Sequence, residues 1–300
     1  MNYSAFLLLV FGLLTTDVCS QDIHFTVPVN KAFADNHSVA HEVADQYSIY
    51  YDQAILKLPA SYQPAGKPVR LVYMAHGAGG GVTADSWYLN NFALQDSLLA
   101  NGYAIFDVNG GQSVENMGGS LVVQSAFKAY SHIIQNYNVH PQIFVIGLSM
   151  GGCSSVNFVY KHSNIVLAHG MFSPVLDLKE QAWKNPWLKT TRKALADAFN
   201  FDDTTGNTFE EDKVTGWNPL QINTFSNGKD TLKIYPVPVK IWHGSHDKVV
   251  TVGSSRNFHQ YIRNAGGFSE LREIDSDNHG LSAGSPVLNR ELLLFFKRFE

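Results

Sequence analysis

The chain has 300 residues, 45% hydrophobic and 16% charged, which supplies a large buried core and does not fit a disordered chain. Its net charge of −4 is spread thinly with no basic face, which excludes nucleic acid as a partner. Cysteine occurs only at Cys19 and Cys153, which excludes a disulfide framework and a cysteine-rich zinc site.

Ala5 to Leu14 is an apolar run of about ten residues, the length of a signal h-region and too short to cross a bilayer. Val18-Cys19-Ser20 precedes a cleavage point ahead of Gln21. Residues 1–20 therefore read as a signal peptide and 21–300 as one mature domain, secreted or periplasmic. The run lacks a preceding Lys or Arg, and a buried N-terminal strand or helix is the competing reading. Cys19 admits a lipoprotein, but Asp17-Val18 makes a poor lipobox. No later segment has the apolar length of a membrane span.

Tyr50 to Leu58 alternates and suits an early antiparallel strand. From Arg70 onward, short apolar runs alternate with helical patterns, the signature of parallel βαβ units. Leu71 to Ala75 reads as a strand entering His76-Gly77-Ala78-Gly79-Gly80-Gly81. A helix over Asn91 to Ala100, a strand over Ala104 to Val108 and a long amphipathic helix over Ser120 to Tyr137 follow. Ile143 to Ile146 is a strand, and Met150 to His162 a helix beyond it. Strands at Ile165 to Met171 and Val239 to Trp242 complete the sheet centre. Ser254 to Asn264, Glu270 to Ile274 and Asn289 to Arg298 give helix, strand and closing helix. Between them, residues 176–236 break the rhythm with a helical stretch at Lys193 to Phe199, a polar run at Asp202 to Asn207 and a turn signal at Asn227-Gly228. This segment reads as a cap inserted over the carboxyl edge of the sheet. Its Trp183, Trp187 and Trp217 suit flat apolar or sugar-ring faces. Lys184, Lys189, Arg192 and Lys193 read as a solvated helix face.

Gly147-Leu148-Ser149-Met150-Gly151 joins a strand to a helix. A serine on so tight a turn needs small residues two positions either side, and the turn lifts its hydroxyl above the sheet. The Met150 N–H, at a helix start, then points to where an oxyanion would develop. His76-Gly77-Ala78-Gly79 follows an earlier strand, and its glycines let backbone approach a substrate oxygen. Ala78 N–H is the second donor by this reading, with Gly79 the fallback, and His76 packs under the loop as a structural residue. Asp247 follows the strand ending in Trp242-His243-Gly244, where a carboxylate can orient an imidazole and stabilise its protonated form. His279, after the last strand and beside Gly280, is placed to act as base toward Ser149. His246 adjoins Asp247 on one loop and is poorly placed to bridge to Ser149; Asp275 and Asp277 stand too near His279 in sequence to be the first choice of acid. Cys153, one turn into the helix, reads as a small core residue. Neither a zinc-protease nor a nucleotide-loop motif occurs.

These residues, together with Leu58-Pro59-Ala60-Ser61-Tyr62, resemble the α/β-hydrolase superfamily from about residue 45 to the end, in its esterase and prolyl-oligopeptidase-like branch. That branch includes feruloyl and acetyl-xylan esterases and polyhydroxyalkanoate depolymerases. The order Ser, Asp, His is that of the superfamily. The resemblance implies an α/β-hydrolase fold, a mostly parallel sheet flanked by helices with a cap. It implies Ser149, Asp247 and His279 as triad, and no cofactor. The expected activity is hydrolysis of a small-molecule or polysaccharide-linked ester through an acyl-enzyme. Two other readings stay open: a small prolyl-oligopeptidase-like serine peptidase, and a non-catalytic binding protein that kept the fold. Intact triad and oxyanion positions weigh against the second.

Overall fold

A computed structural model describes residues 20–30, 49–82, 93–111, 116–184, 189–203, 205, 207–222, 234–281 and 285–300. Among the described residues, eight strands form one sheet: β1 (Gln21–Asn30), β2 (Ile49–Leu58), β3 (Val69–Ala75), β4 (Tyr103–Val108), β5 (Val139–Leu148), β6 (Val166–Phe172), β7 (Val239–Gly244) and β8 (Ser269–Ile274). Their spatial order is β1-β2-β4-β3-β5-β6-β7-β8. β2 runs antiparallel to both β1 and β4, and every pair from β4 to β8 is parallel. The early antiparallel strand and the parallel series are those the sequence pattern predicts. β1 is an addition that the sequence reading did not include.

The parallel strands β3 to β7 are apolar on both faces because helices cover both, and consecutive residues divide between two cores. On one side Leu71, Tyr73, Phe106 and Val145 pack with β1 and with α2 (Ser120–Asn136), α3 (Gly151–His162) and α6 (Val252–Asn264). On the other, Val72, Met74, Phe144 and Ile146 meet Leu94 and Leu98 of α1 (Ala93–Ala100) and Leu292 and Phe296 of α7 (Pro286–Lys297). Phe144 stacks on Phe296 with ring centroids 4.3 Å apart. Each such fully buried side chain contributes roughly 1.5–3 kcal/mol by leaving water.

Between β6 and β7, the described part of the insertion holds a π-helical turn (Glu180–Lys184), α4 (Lys189–Ala198) and the short α5 (Pro219–Ile222). Leu178, Ala182, Leu195, Ala196, Phe199 and Val214 form a third small core there, which also takes in Met150 and Val250. The predicted turn at Asn227-Gly228 lies outside the described residues, as do Asn91, Trp187 and the whole of residues 1–19. Among the described residues, no helix is long and apolar enough to cross a membrane.

The two outer strands end the sheet differently. β1 carries Pro28, whose missing N–H is tolerated on an edge. β8 carries charge: Glu270 pairs with Lys240 (3.1 Å) and Arg298 (2.7 Å), Glu273 with Arg256 (2.8 Å), and Arg272 with Glu291.

Candidate active site

The turn between β5 and α3 is closely packed from both sides. A Cβ on Gly147 would lie 2.2 Å from Ser155 Oγ, and one on Gly151 would lie 2.1 Å from the Ala75 carbonyl oxygen. Between these glycines Ser149 has φ = 52°, in the left-handed region that a non-glycine residue occupies at a cost. Its backbone is pinned there: Ser149 N–H donates to Phe172 O (3.0 Å), and Ser149 O accepts from Gly152 (2.9 Å) and Val175 (2.8 Å).

The loops after β7 and β8 bring two further groups to this serine. His279 Nε2 lies 2.8 Å from Ser149 Oγ, and His279 Nδ1 lies 2.7 Å from Asp247 Oδ2. Asp247 is buried, and its other oxygen accepts from the N–H groups of Val249 (2.8 Å) and Val250 (3.1 Å). Burial alone would raise its pKa. The hydrogen bond and charge of His279, with the two amides, outweigh burial and hold it below the usual carboxylate value. With Asp247 ionised, the His279 proton sits on Nδ1, and Nε2 is free to accept from the Ser149 hydroxyl.

The other candidates fall elsewhere. His246 is exposed and pairs with Asp275 Oδ1 at 3.1 Å, and Asp277 is exposed. His76 is buried beneath its loop, 2.8 Å from Asp107 Oδ2. Cys153 is buried, donates to Val175 O (3.0 Å), and burial pushes its thiol pKa up. His243 is also buried: Nε2 donates to Val250 O (2.9 Å), and Nδ1 lies 2.8 Å from Ser255 Oγ. The neutral imidazole satisfies both contacts, and burial lowers its pKa.

The loop after β3 lies against the serine. A Cβ on Gly77 would sit 3.3 Å from Ser149 Cβ and 3.9 Å from its Oγ. Gly79 has φ = 75°, and Gly80 N–H is taken by Gly77 O (3.1 Å). The N–H groups of Ala78 and Met150 have no acceptor among the described residues, so both can serve a developing oxyanion. Asn109 Oδ1 anchors the loop's far end by accepting from Val82 N–H (2.8 Å). Sequence reasoning missed Gly77 as the residue of closest approach, although its place in a glycine-rich loop after a strand was a usable signal. It also missed Asp107 as the partner of His76, which no local signal announces.

Two of the three cap tryptophans, Trp183 and Trp217, have partners that the sequence did not announce. Trp183 Nε1 donates to Asn207 O (3.1 Å), and its ring meets Phe209 edge-on at 4.9 Å. Trp217 lies under Lys161 Nζ at 4.2 Å. Both rings are engaged in cap packing rather than presented as open faces. Arg192 is likewise turned inward, donating to Ala182 O (2.7 Å). Among the described residues, no group of three His, Cys, Asp or Glu is placed to hold a metal ion.

A family model, Esterase, matches residues 130–215, from α2 through the Ser149 turn into the cap. No curated protein sequence matches the chain. Three solved structures are similar. An acylaminoacyl peptidase of Pyrococcus horikoshii has a TM-score of 0.62 at 16% identity, over 93% of this chain and 42% of that one. A puromycin-hydrolyzing peptidase of Mycobacterium tuberculosis has 0.61 at 17%, over 83% and 37%. A ferulic acid esterase has 0.63 at 18%, over 94% and 99%. The chain thus spans well under half the length of the two peptidases. At such identities likeness speaks to architecture, and together with the strand order it shows that the chain has the α/β-hydrolase fold.

Proposed function

We propose that the chain is a serine hydrolase that cleaves carboxylic esters through an acyl-enzyme on Ser149. One observation carries this reading: the unbroken hydrogen-bonded series Asp247–His279–Ser149, ending on a serine held at positive φ. Ser149 Oγ attacks the ester carbonyl while His279 Nε2 takes its proton. Asp247 keeps the imidazole in the right tautomer and stabilises the imidazolium. The tetrahedral oxyanion is held by the N–H groups of Met150 and Ala78. His279 then returns the proton to the leaving alcohol, and a water molecule repeats the sequence in reverse on the acyl-enzyme. A fold kept for binding alone gives no reason to hold Ser149 in so costly a conformation.

Ester rather than amide substrates are favoured because the ferulic acid esterase is matched over 99% of its length, and the Esterase model covers the nucleophile turn. A peptidase must also protonate a leaving nitrogen and hold a peptide in register. The test sets acetyl and feruloyl esters beside prolyl and alanyl anilides. Ester kcat/KM is expected to exceed the anilide value by at least about a hundredfold, roughly 2.7 kcal/mol in transition-state terms. Ser149→Ala is expected to remove orders of magnitude of turnover. Comparable anilide cleavage puts the peptidase in place of the esterase, and full activity in Ser149→Ala ends the mechanism.

We also propose export with cleavage ahead of Gln21, from the apolar run and the small residues before it. Intact-mass analysis of the secreted form is expected to find Gln21 at the N-terminus, and a mature chain starting at Met1 would contradict it.

A further inference from the structure

The hydrogen bonds around Asp247 reach beyond the triad. Asp247 Oδ1 accepts from Val250 N–H at 3.1 Å. That N–H belongs to the same peptide unit as the Val249 carbonyl. The Val249 carbonyl in turn accepts from the side-chain amide of Gln181, 2.9 Å away. One continuous series therefore runs from Gln181 Nε2 through the Val249–Val250 peptide to Asp247, His279 and Ser149 Oγ. Hydrogen bonds in series polarise one another, by roughly 10–30% per bond. A peptide that accepts at its carbonyl is a better donor at its N–H.

Gln181 is itself firmly placed. Its side chain is buried in the π-helical turn of the cap. Asp177 fixes the start of that turn: Oδ1 accepts from Lys179 N–H (3.0 Å) and Glu180 N–H (3.2 Å), and its carbonyl accepts from Gln181 N–H (3.0 Å). The adjacent Glu180 accepts from the Thr251 hydroxyl at 2.7 Å. The turn thus holds the acid loop on both sides of Val250, whose side chain packs in the cap core with Leu178, Ala182 and Met150. π-Helical turns inside helical segments recur at functional sites.

We infer that Gln181 is a positioning residue for the triad, through which the cap sets the orientation of Asp247; this rests on the serine-hydrolase reading above. Ordinary packing would give Gln181 a role in stability alone. Two facts separate the roles. The amide reaches Asp247 through a single peptide, and the turn that carries it is held to the next residue of the acid loop as well, by the Thr251 hydroxyl on Glu180.

The experiment uses the full chain and an aryl acetate. Gln181→Met keeps length and apolar volume but has no donor. Its kcat is expected to fall about three- to tenfold with KM within about twofold and an unchanged melting temperature. The same substitution in an Asp247→Asn background is expected to cost less than about twofold more, because the group it acts through is already gone. Gln181→Asn keeps an amide that is one methylene too short to reach, and is expected to repeat the kcat loss if the Met variant folds poorly. Wild-type kcat in both variants overturns the inference, and so does an equal loss with and without Asp247. Either result leaves the triad standing provided Ser149→Ala is inactive; an active Ser149→Ala removes the underlying reading instead.

Discussion

Gly77 and Gly151 both lie against the Ser149 turn, and each has its own reason to be glycine. At Gly151 a methyl group would meet backbone, 2.1 Å from Ala75 O and 2.6 Å from His76 O. Neither oxygen can yield without parting β3 from the serine turn. Gly151→Ala is expected to cost about 1–3 kcal/mol or more, read as a drop of roughly 2 °C or more in Tm. At Gly77 the contacts are 3.3 Å to Ser149 Cβ and 3.4 Å to Leu148 O, tight but open to small adjustments. Gly77→Ala is expected to fold with nearly unchanged Tm while kcat falls roughly tenfold or more, since the methyl occupies space the substrate carbonyl needs beside the hydroxyl. Thermal melts and turnover on one ester separate the two variants. Full kcat in the Gly77→Ala variant would mean that this loop does not bound the reacting carbonyl.

Elements whose burial follows chain periodicity were legible in the sequence, and those fixed by distant partners were not. β2 to β8 stand out because their apolar residues fill both cores. The turn at Ser149 stands out because sterics demand glycine at two fixed offsets. β1 had the right alternation, with Ile23, Phe25, Val27 and Val29 on one face, but Pro28 reads against a strand until the strand is known to be an edge. β5 extends to Val139 past Pro141, beyond the predicted Ile143 start, because Val139 pairs with Val69 across a register shift at the beginning of β3. The cap was visible as an interruption, yet the surroundings of Trp183 and Trp217 were not. An indole presents the same amphipathic face whether Phe209 or a ligand covers it, and that choice is made by tertiary neighbours. Gln181 carries no pattern at all: its partner lies 68 residues away and is a backbone carbonyl, so no residue type at Val249 could announce it.

At the scale of the whole molecule, buried His169 and half-buried His162 contribute to the response to acid. Burial lowers the pKa of His169 to about 3, and burial with the Lys161 charge lowers that of His162 to about 4. In the unfolded chain a histidine binds its proton near a pH of about 6.5. From about pH 6.5 down to those lower values the unfolded state holds more protons, so stability falls as pH falls through that interval. Buried Asp52 and Asp107, whose pKa values burial raises, act with the opposite sign, so the clean readout is a difference. Denaturant unfolding of wild type and His169→Gln between about pH 6.5 and 4 is expected to give a steeper loss in wild type, by up to about 1.4 kcal/mol per pH unit. Parallel curves would mean that His169 titrates alike in both states. A last consequence concerns the open margins of the sheet. An outer strand is a template on which another copy's strand can be laid, and such copying is how sheets grow into fibrils. Here one margin carries Pro28, whose tertiary-amide nitrogen has no hydrogen to offer, and the other carries the ion pairs of Glu270, Arg272 and Glu273. Strand-by-strand growth is therefore disfavoured at both ends of the described sheet.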